Sequence, residues 1–178
     1  MIEEIIQKAK QRSKRVGIYA HKFPDGDAIS SSCALVQYLK SQGVEARYIV
    51  TTPIRTFKNI VGDIPVTTEV GEDEIAIILD TARLDYAQNT LFQKSSVEDI
   101  YSIDHHEKTQ EVMNIEEELG IPSQNVIRNS EASSVCEILA NELSEEQITL
   151  PIAELLTVGI LTDTARLRFL KTNTLEVL

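Results

Sequence analysis

Cysteine is scarce in this sequence. Cys33 and Cys136 are the two present; they lack any close paired spacing and each is flanked by apolar residues of helical character, which argues against a disulfide framework and a thiolate zinc site. Small core side chains in a reducing compartment are the expectation, and with it a cytoplasmic location. Long hydrophobic runs are missing too. No segment approaches the roughly 18 consecutive apolar residues of a membrane helix, so no membrane partner is expected. Basic residues are outnumbered, 17 Lys and Arg against 28 Asp and Glu, for a formal charge of −11. That charge repels long polyanions unless local groups or metal ions reverse the field, which argues against a general DNA or RNA coat protein. No internal repeat, low-complexity tract or obvious linker divides the 178 residues, a length suited to one domain with a sizeable core.

What is present alternates between helical and strand-like patterns. Ile2, Ile5, Ile6 and Ala9 fall at helical spacing, after which Val16 to Ala20 reads as a buried strand ending where His21 begins. Ile29, Cys33, Leu35, Val36 and Leu39 line a helix that starts near Asp27 and that Gly43 terminates. Ala46 to Val50 is the next strand. Ile75 to Leu79 is a continuous apolar run of the kind found inside a parallel sheet covered on both faces, and it stops at Asp80. Asp99 to Ile103 is a weaker strand leading into Asp104-His105-His106, and Asn125 to Ile127 is a further one. Ser134-Val-Cys-Glu137 fits a capping box that opens a helix to about Leu143. Pro151 suits the first turn of another helix running to about Thr162. Val61 to Glu74 is a connection of no assigned form, and Thr172 to Leu178 has helical character. The expected fold is α/β: a three-layer domain with a mainly parallel central sheet and helices on both faces.

The polar residues with chemistry in them sit at strand ends. Three strand-like runs finish at His21, Asp80 and Asp104-His105-His106, and open parallel sheets bind ligands beyond the carboxyl ends of their strands. The loop after His21 adds Asp25 and Asp27, with Pro24 and Gly26 suited to a turn. One histidine so placed is ordinarily a hydrogen-bonded core or surface residue. Here all three of the chain's histidines lie just beyond a strand with aspartates close by, which a chance scatter would rarely produce. Imidazoles and carboxylates without thiolates suit hard or borderline divalent ions, manganese first and magnesium next, with zinc and iron open. Crowded carboxylates also repel one another unless cations neutralise them. Two ions are the natural reading of so many ligands.

His21-Lys-Phe-Pro-Asp-Gly-Asp-Ala28, Asp80, Asp104-His105-His106 and Gly159-Ile-Leu-Thr-Asp163-Thr164 resemble, in order, the four motifs of the DHH-family phosphoesterases. The resemblance spans nearly the whole chain. It implies that His21, Asp25 and Asp80 hold one ion while Asp27, Asp80, His105 and Asp163 hold a second, Asp80 bridging the two. Asp80 and His106 are then the catalytic pair, His106 donating to a phosphate oxygen as charge develops, and Asp104 orients the histidines from behind. Ser133 and Ser134, in Glu131-Ala-Ser-Ser134, resemble a further family segment that contacts substrate; a plain helix cap is the competing reading. Residues 1–170 would be the catalytic domain and 171–178 the start of a connection to the smaller C-terminal domain that many members carry.

This chain departs from the family pattern at Phe23, where asparagine is usual, at Ser30, where glycine is frequent, and at Ala165, where glycine is common. No proposed ligand is lost. Pro24-Asp-Gly-Asp27 looks more like the oligoribonuclease and 3′-phosphoadenosine 5′-phosphate phosphatase branch than the pyrophosphatases, where threonine commonly replaces the glycine. The expected function is metal-dependent hydrolysis of phosphate esters in short oligoribonucleotides, 3′-phosphoadenosine 5′-phosphate or dinucleotides. The expected partners are such a small nucleotide or short oligonucleotide and no long duplex nucleic acid, with a homodimer compatible. A pyrophosphatase or polyphosphatase, or a non-catalytic metal-binding interaction module, are the alternatives. Arg83, Arg166 and Arg168 are the nearest cations, each read first as a surface or structural ion pair.

Overall fold

The apolar runs assemble side by side into one parallel sheet. Its strands are Val16–Tyr19 (β1), Ala46–Ile49 (β2), Val66–Thr67 (β3), Ile75–Leu79 (β4), Asp99–Asp104 (β5) and Val126–Arg128 (β6), in the spatial order β3-β2-β1-β4-β5-β6. Every one of these pairings is parallel. The helices are Ile2–Arg12 (α1), Gly26–Ser41 (α2), Ile115–Leu119 (α3), Val135–Glu142 (α4), Leu150–Asp163 (α5) and Thr174–Val177 (α6). The structure, a computed structural model, describes residues 1–50, 62, 64, 66–68, 75–83, 97–108, 114–171 and 174–177. Most of Val61 to Glu74, and Thr172, Asn173 and Leu178, lie outside the described residues.

The two-residue period of a strand decides which core each side chain joins. Val16, Ile18, Tyr48, Ile75, Ile77, Leu79 and Tyr101 enter the larger core with residues of α1, α2, α4 and α5. Ile78 and Ile100 point the other way and pack on Ile115, Leu119 and Ile121. Helices therefore cover both faces, and all five residues of β4 are buried, as its uninterrupted apolar run requires. The three-layer α/β expectation holds.

Sheet order fixes where a site can form. The chain steps outward from β1 to β2 to β3, then returns to the other side of β1 with β4 and continues outward to β5 and β6. The direction of winding reverses between β1 and β4, which opens a crevice beyond their carboxyl ends. Tyr19 pairs with Ile78 at that edge; His21 and Asp80 each lie two residues further along.

Local signals explain the helix ends. Asp25 caps α2, its side chain accepting from the Ala28 N–H at 3.0 Å. Gly43, at φ 76, lies just past the end of that helix and returns its N–H to the Lys40 carbonyl. Ser134 caps α4 by accepting from the Glu137 N–H. Glu137 accepts in return from Ser133, one residue earlier than an ideal capping box places it. Strand β3 and helix α3 are elements that sequence patterning does not assign: Val66 and Thr67 are too few to carry a periodicity, and Ile115–Leu119 is little more than one turn.

Beyond Asp163 the backbone is strained. Ala165, Arg166 and Leu167 have φ of 49°, 62° and 65°, and left-handed backbone costs a non-glycine residue roughly 1–2 kcal/mol. Thr164 holds the turn: its hydroxyl donates to the Ile160 carbonyl at 2.6 Å and accepts from the Leu167 N–H at 3.0 Å. Ala165→Gly is expected to raise the unfolding free energy by about 0.5–1 kcal/mol, the relief of strain less the extra freedom of glycine in the unfolded chain. Urea denaturation measures it. A lower midpoint would show that Ala165 is not strained.

Candidate metal centre

Three loops bring the aspartates and histidines together. His21 lies just beyond β1, and the turn at Pro24 and Gly26 carries Asp25 to the end of α2 and Asp27 inside its first turn. Asp80 lies just beyond β4 at φ 51°, a left-handed conformation that aspartate tolerates better than most residues; its N–H is tied to the Ile103 carbonyl at 3.1 Å. His105 and His106 come directly after β5, and Asp163 ends α5. Close packing of α2 on α5 joins the last piece. Gly26 abuts Thr162, and Gly159 abuts Cys136 and Asp27 so closely that neither glycine has room for a Cβ.

Asp80 is the centre of the arrangement. Its Oδ2 lies 3.6 Å from His21 Nε2, which is 3.8 Å from Asp25 Oδ1. Its Oδ1 lies 3.4 Å from His105 Nε2, which is 3.5 Å from Asp163 Oδ2. Among the described residues, three sets of side chains present ligand atoms within 4.8 Å of one another: His21, Asp25 and Asp80; Asp27, His105 and Asp163; and Asp80, His105 and His106. All seven of these residues are residues singled out from the sequence.

The donor set fits divalent cations. Spacings of 3.4 to 3.8 Å are long for hydrogen bonds. Atoms each about 2.1 Å from a shared ion sit roughly 3.0 Å apart at right angles and 3.4 Å apart at tetrahedral angles. Asp80 Oδ1 is buried without a hydrogen-bond partner, a costly condition for a carboxylate oxygen that a cation would remove. His105 Nδ1 is likewise buried and unbonded, while its Nε2 faces Asp80 and Asp163. Asp27 is 1% exposed. Its two oxygens accept from the Val135 and Cys136 N–H groups at 2.7 and 3.0 Å, so the first turn of α4 aims the carboxylate.

Protonation reflects the same geometry. Burial disfavours charge on His21, but Asp25 and Asp80 overcome it and raise the imidazole to about 9. His105 is raised to about 9 against burial, chiefly by Asp80. Burial and then Asp80 push Asp27 up to about 7, and burial raises Asp163. Asp80 moves the other way: despite burial, His105 and His21 hold it well below the usual carboxylate range.

These shifts set the behaviour of the metal-free chain with pH. His21 and His105 bind protons more tightly folded than unfolded, so their stabilisation is complete below about pH 6.5 and is lost as pH rises through about 9. Asp27 is also raised, so its contribution falls between its ordinary value of 3.8 and about 7. Both act in one direction. The melting temperature of chelator-treated protein is expected to fall from pH 6 to pH 9, while the gain from saturating manganese grows over the same interval, because metal ligands must be deprotonated. A gain independent of pH would contradict this protonation pattern.

His106 is held differently. Its Nδ1 is 2.7 Å from Asp104 Oδ1; a carboxylate only accepts, so Nδ1 carries the proton and Nε2 remains for a ligand. Asp104 is fully buried and also accepts from the His106 backbone N–H. The Asp104 hydrogen bond raises the pKa of His106. Ser133 and Ser134 are not offered to the cluster in the same way. Ser134 Oγ caps α4, while Ser133 Oγ donates to Glu137 at 2.6 Å and lies 3.0 Å from Thr174 Oγ1. The α4 N–H groups beyond them are taken by Asp27. Arg166 and Arg168 are exposed, and Arg83 is half-buried.

Sequence reasoning passes over Arg128. It stands opposite Asp104 in the β5–β6 register, with Nη1 2.8 Å from Asp104 Oδ2 and 2.7 Å from the His106 carbonyl. Its Nη2 pairs with Glu116. The available signal was its place at the end of a strand beside the one that carries the histidines.

Comparison with known proteins bears on the same residues. The DHH family, N-terminal domain, matches residues 15–160. Among solved structures, an exopolyphosphatase-related protein from Bacteroides fragilis superposes with a TM-score of 0.72 at 23% identity, over 94% of this chain and 51% of that one. A putative family II inorganic pyrophosphatase from Methanococcus jannaschii gives 0.62 at 16% identity, over 91% and 53%. At such identities the likeness shows the fold, and the chain spans about half the length of each. Comparison with curated protein sequences returns no match. Among the described residues no helix is long and apolar enough to cross a membrane.

Proposed function

Because the chain belongs to the DHH family, a phosphoesterase family, we propose that it hydrolyses phosphate esters of short nucleotides with two divalent ions, manganese or magnesium. The observation that carries the proposal is Asp80, whose two oxygens face different ligand sets, Oδ2 toward His21 and Oδ1 toward His105. His21, Asp25 and Asp80 would hold one ion, and Asp27, Asp80, His105 and Asp163 the other. When bound, the ions supply an activated water at neutral pH and positive charge against the phosphate oxygens.

The chain's own residues do the positioning. Asp27 is fixed by two backbone N–H groups, so it does not have to be ordered when substrate arrives. Asp104 keeps the His106 proton on Nδ1, and the half-exposed ring then offers Nε2–H, when protonated, to a phosphate oxygen or leaving group. Phe23 supports a nucleotide over a bare phosphate. It is 77% exposed, two residues from both His21 and Asp25, with the Lys22 ammonium 5.6 Å from its ring. An aromatic face beside a phosphate site is suited to stacking on a base, worth about 1–3 kcal/mol.

Turnover of linear diadenylate, 3′-phosphoadenosine 5′-phosphate and inorganic pyrophosphate with manganese tests the proposal. Diadenylate or the phosphoadenosine is expected to be cleaved; efficient turnover of pyrophosphate with neither nucleotide touched would reassign the chain as a pyrophosphatase. Phe23→Ala is expected to raise KM for the cleaved nucleotide about tenfold with kcat little changed. An unchanged KM would remove Phe23 from the substrate site.

A further inference from the structure

Behind the histidines lies a buried network of charges that the metal centre does not use. Ser102 Oγ donates to Glu116 Oε1 at 3.0 Å, Arg128 Nη2 bonds the same oxygen, and Arg128 Nη1 reaches both Asp104 Oδ2, at 2.8 Å, and the His106 carbonyl, at 2.7 Å. The side chains of Asp104, Glu116 and Arg128 are 0%, 6% and 10% exposed. They belong to three elements: β5, α3 and β6.

We propose that Arg128 is a positioning residue for His106. Asp104 has one oxygen for the His106 ring and backbone N–H and the other for Arg128. Left to the histidine alone, that carboxylate could rotate about its own side-chain bonds and carry the ring with it. The guanidinium opposes this on two sides: it pairs by charge with the second oxygen of Asp104, 2.8 Å from Nη1, and it donates a hydrogen bond to the carbonyl of the residue whose ring Asp104 orients. Glu116 in turn holds the guanidinium, and Ser102 holds Glu116. A planar fork with several fixed donors can bridge these acceptors together, which a lysine ammonium cannot do in the same geometry. The imidazole is thereby set with Nδ1–H toward Asp104 and Nε2 toward the substrate phosphate. This rests on the reading that His106 meets that phosphate.

Arg128 is enclosed and its donors point inward, so a direct substrate contact is the competing role and the experiment separates the two. Arg128→Met alone strands Asp104 and Glu116 as buried charges, so it is compared with R128M/E116Q, which removes one of them. The double variant is expected to recover most of the melting temperature lost by the single one. Its manganese content is expected to match wild type, with KM for linear diadenylate within about twofold and kcat about 10- to 100-fold down, the usual range for losing a group that orients a site residue. Recovery of kcat together with melting temperature would reduce the network to a structural one, and a raised KM at unchanged kcat would make Arg128 a substrate contact; either overturns the proposal. A second readout needs no turnover. The hydrogen-bonded Nδ1 proton of His106, assigned by its absence in His106→Gln, is expected in the proton NMR spectrum of the metal-free wild type and lost in R128M/E116Q. Its persistence in the double variant would overturn the positioning role. If wild type cleaves no nucleotide, the functional reading fails while this spectroscopic test still decides the role of Arg128.

Discussion

Asp80→Ala is expected to abolish tight binding at both metal positions and to lower kcat by more than about 10³-fold, whereas His106→Ala should retain wild-type metal content and lose about 10²–10³-fold in kcat. The contrast comes from the contacts of each side chain. Asp80 faces His21 with one oxygen and His105 with the other, so its removal takes a ligand from two sets at once. His106 has its Nδ1 committed to Asp104, and a ring half exposed at the rim is free to act on substrate without holding an ion. Metal analysis after gel filtration, alongside steady-state kinetics, separates the two variants. Equal metal loss in both would mean that His106 is a ligand, as its place in a set with Asp80 and His105 allows.

Gly159→Ala is expected to be strongly damaging although Gly159 is not itself a ligand. A Cβ there collides with Cys136 Sγ, lies 2.9 Å from Cys136 Cβ and 2.9 Å from Asp27 Oδ1, distances that real Cβ atoms do not tolerate. Cys136 is fully buried and Asp27 is clamped to the start of α4, so neither side can move cheaply. Overpacking of a close-packed interior costs about 1–3 kcal/mol, and here part of the displacement falls on a proposed metal ligand. The expected result is a lowered urea midpoint together with at least tenfold weaker manganese binding. Cys136→Ala introduced with it removes the sulfur that the new methyl meets, and should recover part of the loss in a double-mutant cycle. Additive losses would show that the collision is relieved elsewhere.

Sequence patterning disclosed the parts of this fold whose residues repeat a physical rule over several positions. Ile75 to Leu79 is apolar at every position and is buried at every position; Pro151 stands in the first turn of α5, and Ser134 caps α4. The aspartates and histidines were legible because a parallel sheet gathers at one edge the residues just beyond its strands, and the switch of winding between β1 and β4 puts His21 beside Asp80. The parts that escaped are carried by long-range encounters. Val66 and Thr67 form a strand only because Tyr48 and Ile49 lie alongside. Arg128 and Glu116 are twelve residues apart and meet through their elements, with no spacing to announce it. The Ser133 hydroxyl, read either as a substrate contact or as part of a plain helix cap, bonds Glu137 and lies 3.0 Å from Thr174 Oγ1; that partner from α6 lies 41 residues on.

Anomalous scattering from crystals grown with manganese decides whether Asp80 bridges two ions. Two manganese peaks per chain are expected, one in contact with His21, Asp25 and Asp80 and the other with Asp27, Asp80, His105 and Asp163. A single peak, or two peaks that do not share Asp80, would contradict the bridge.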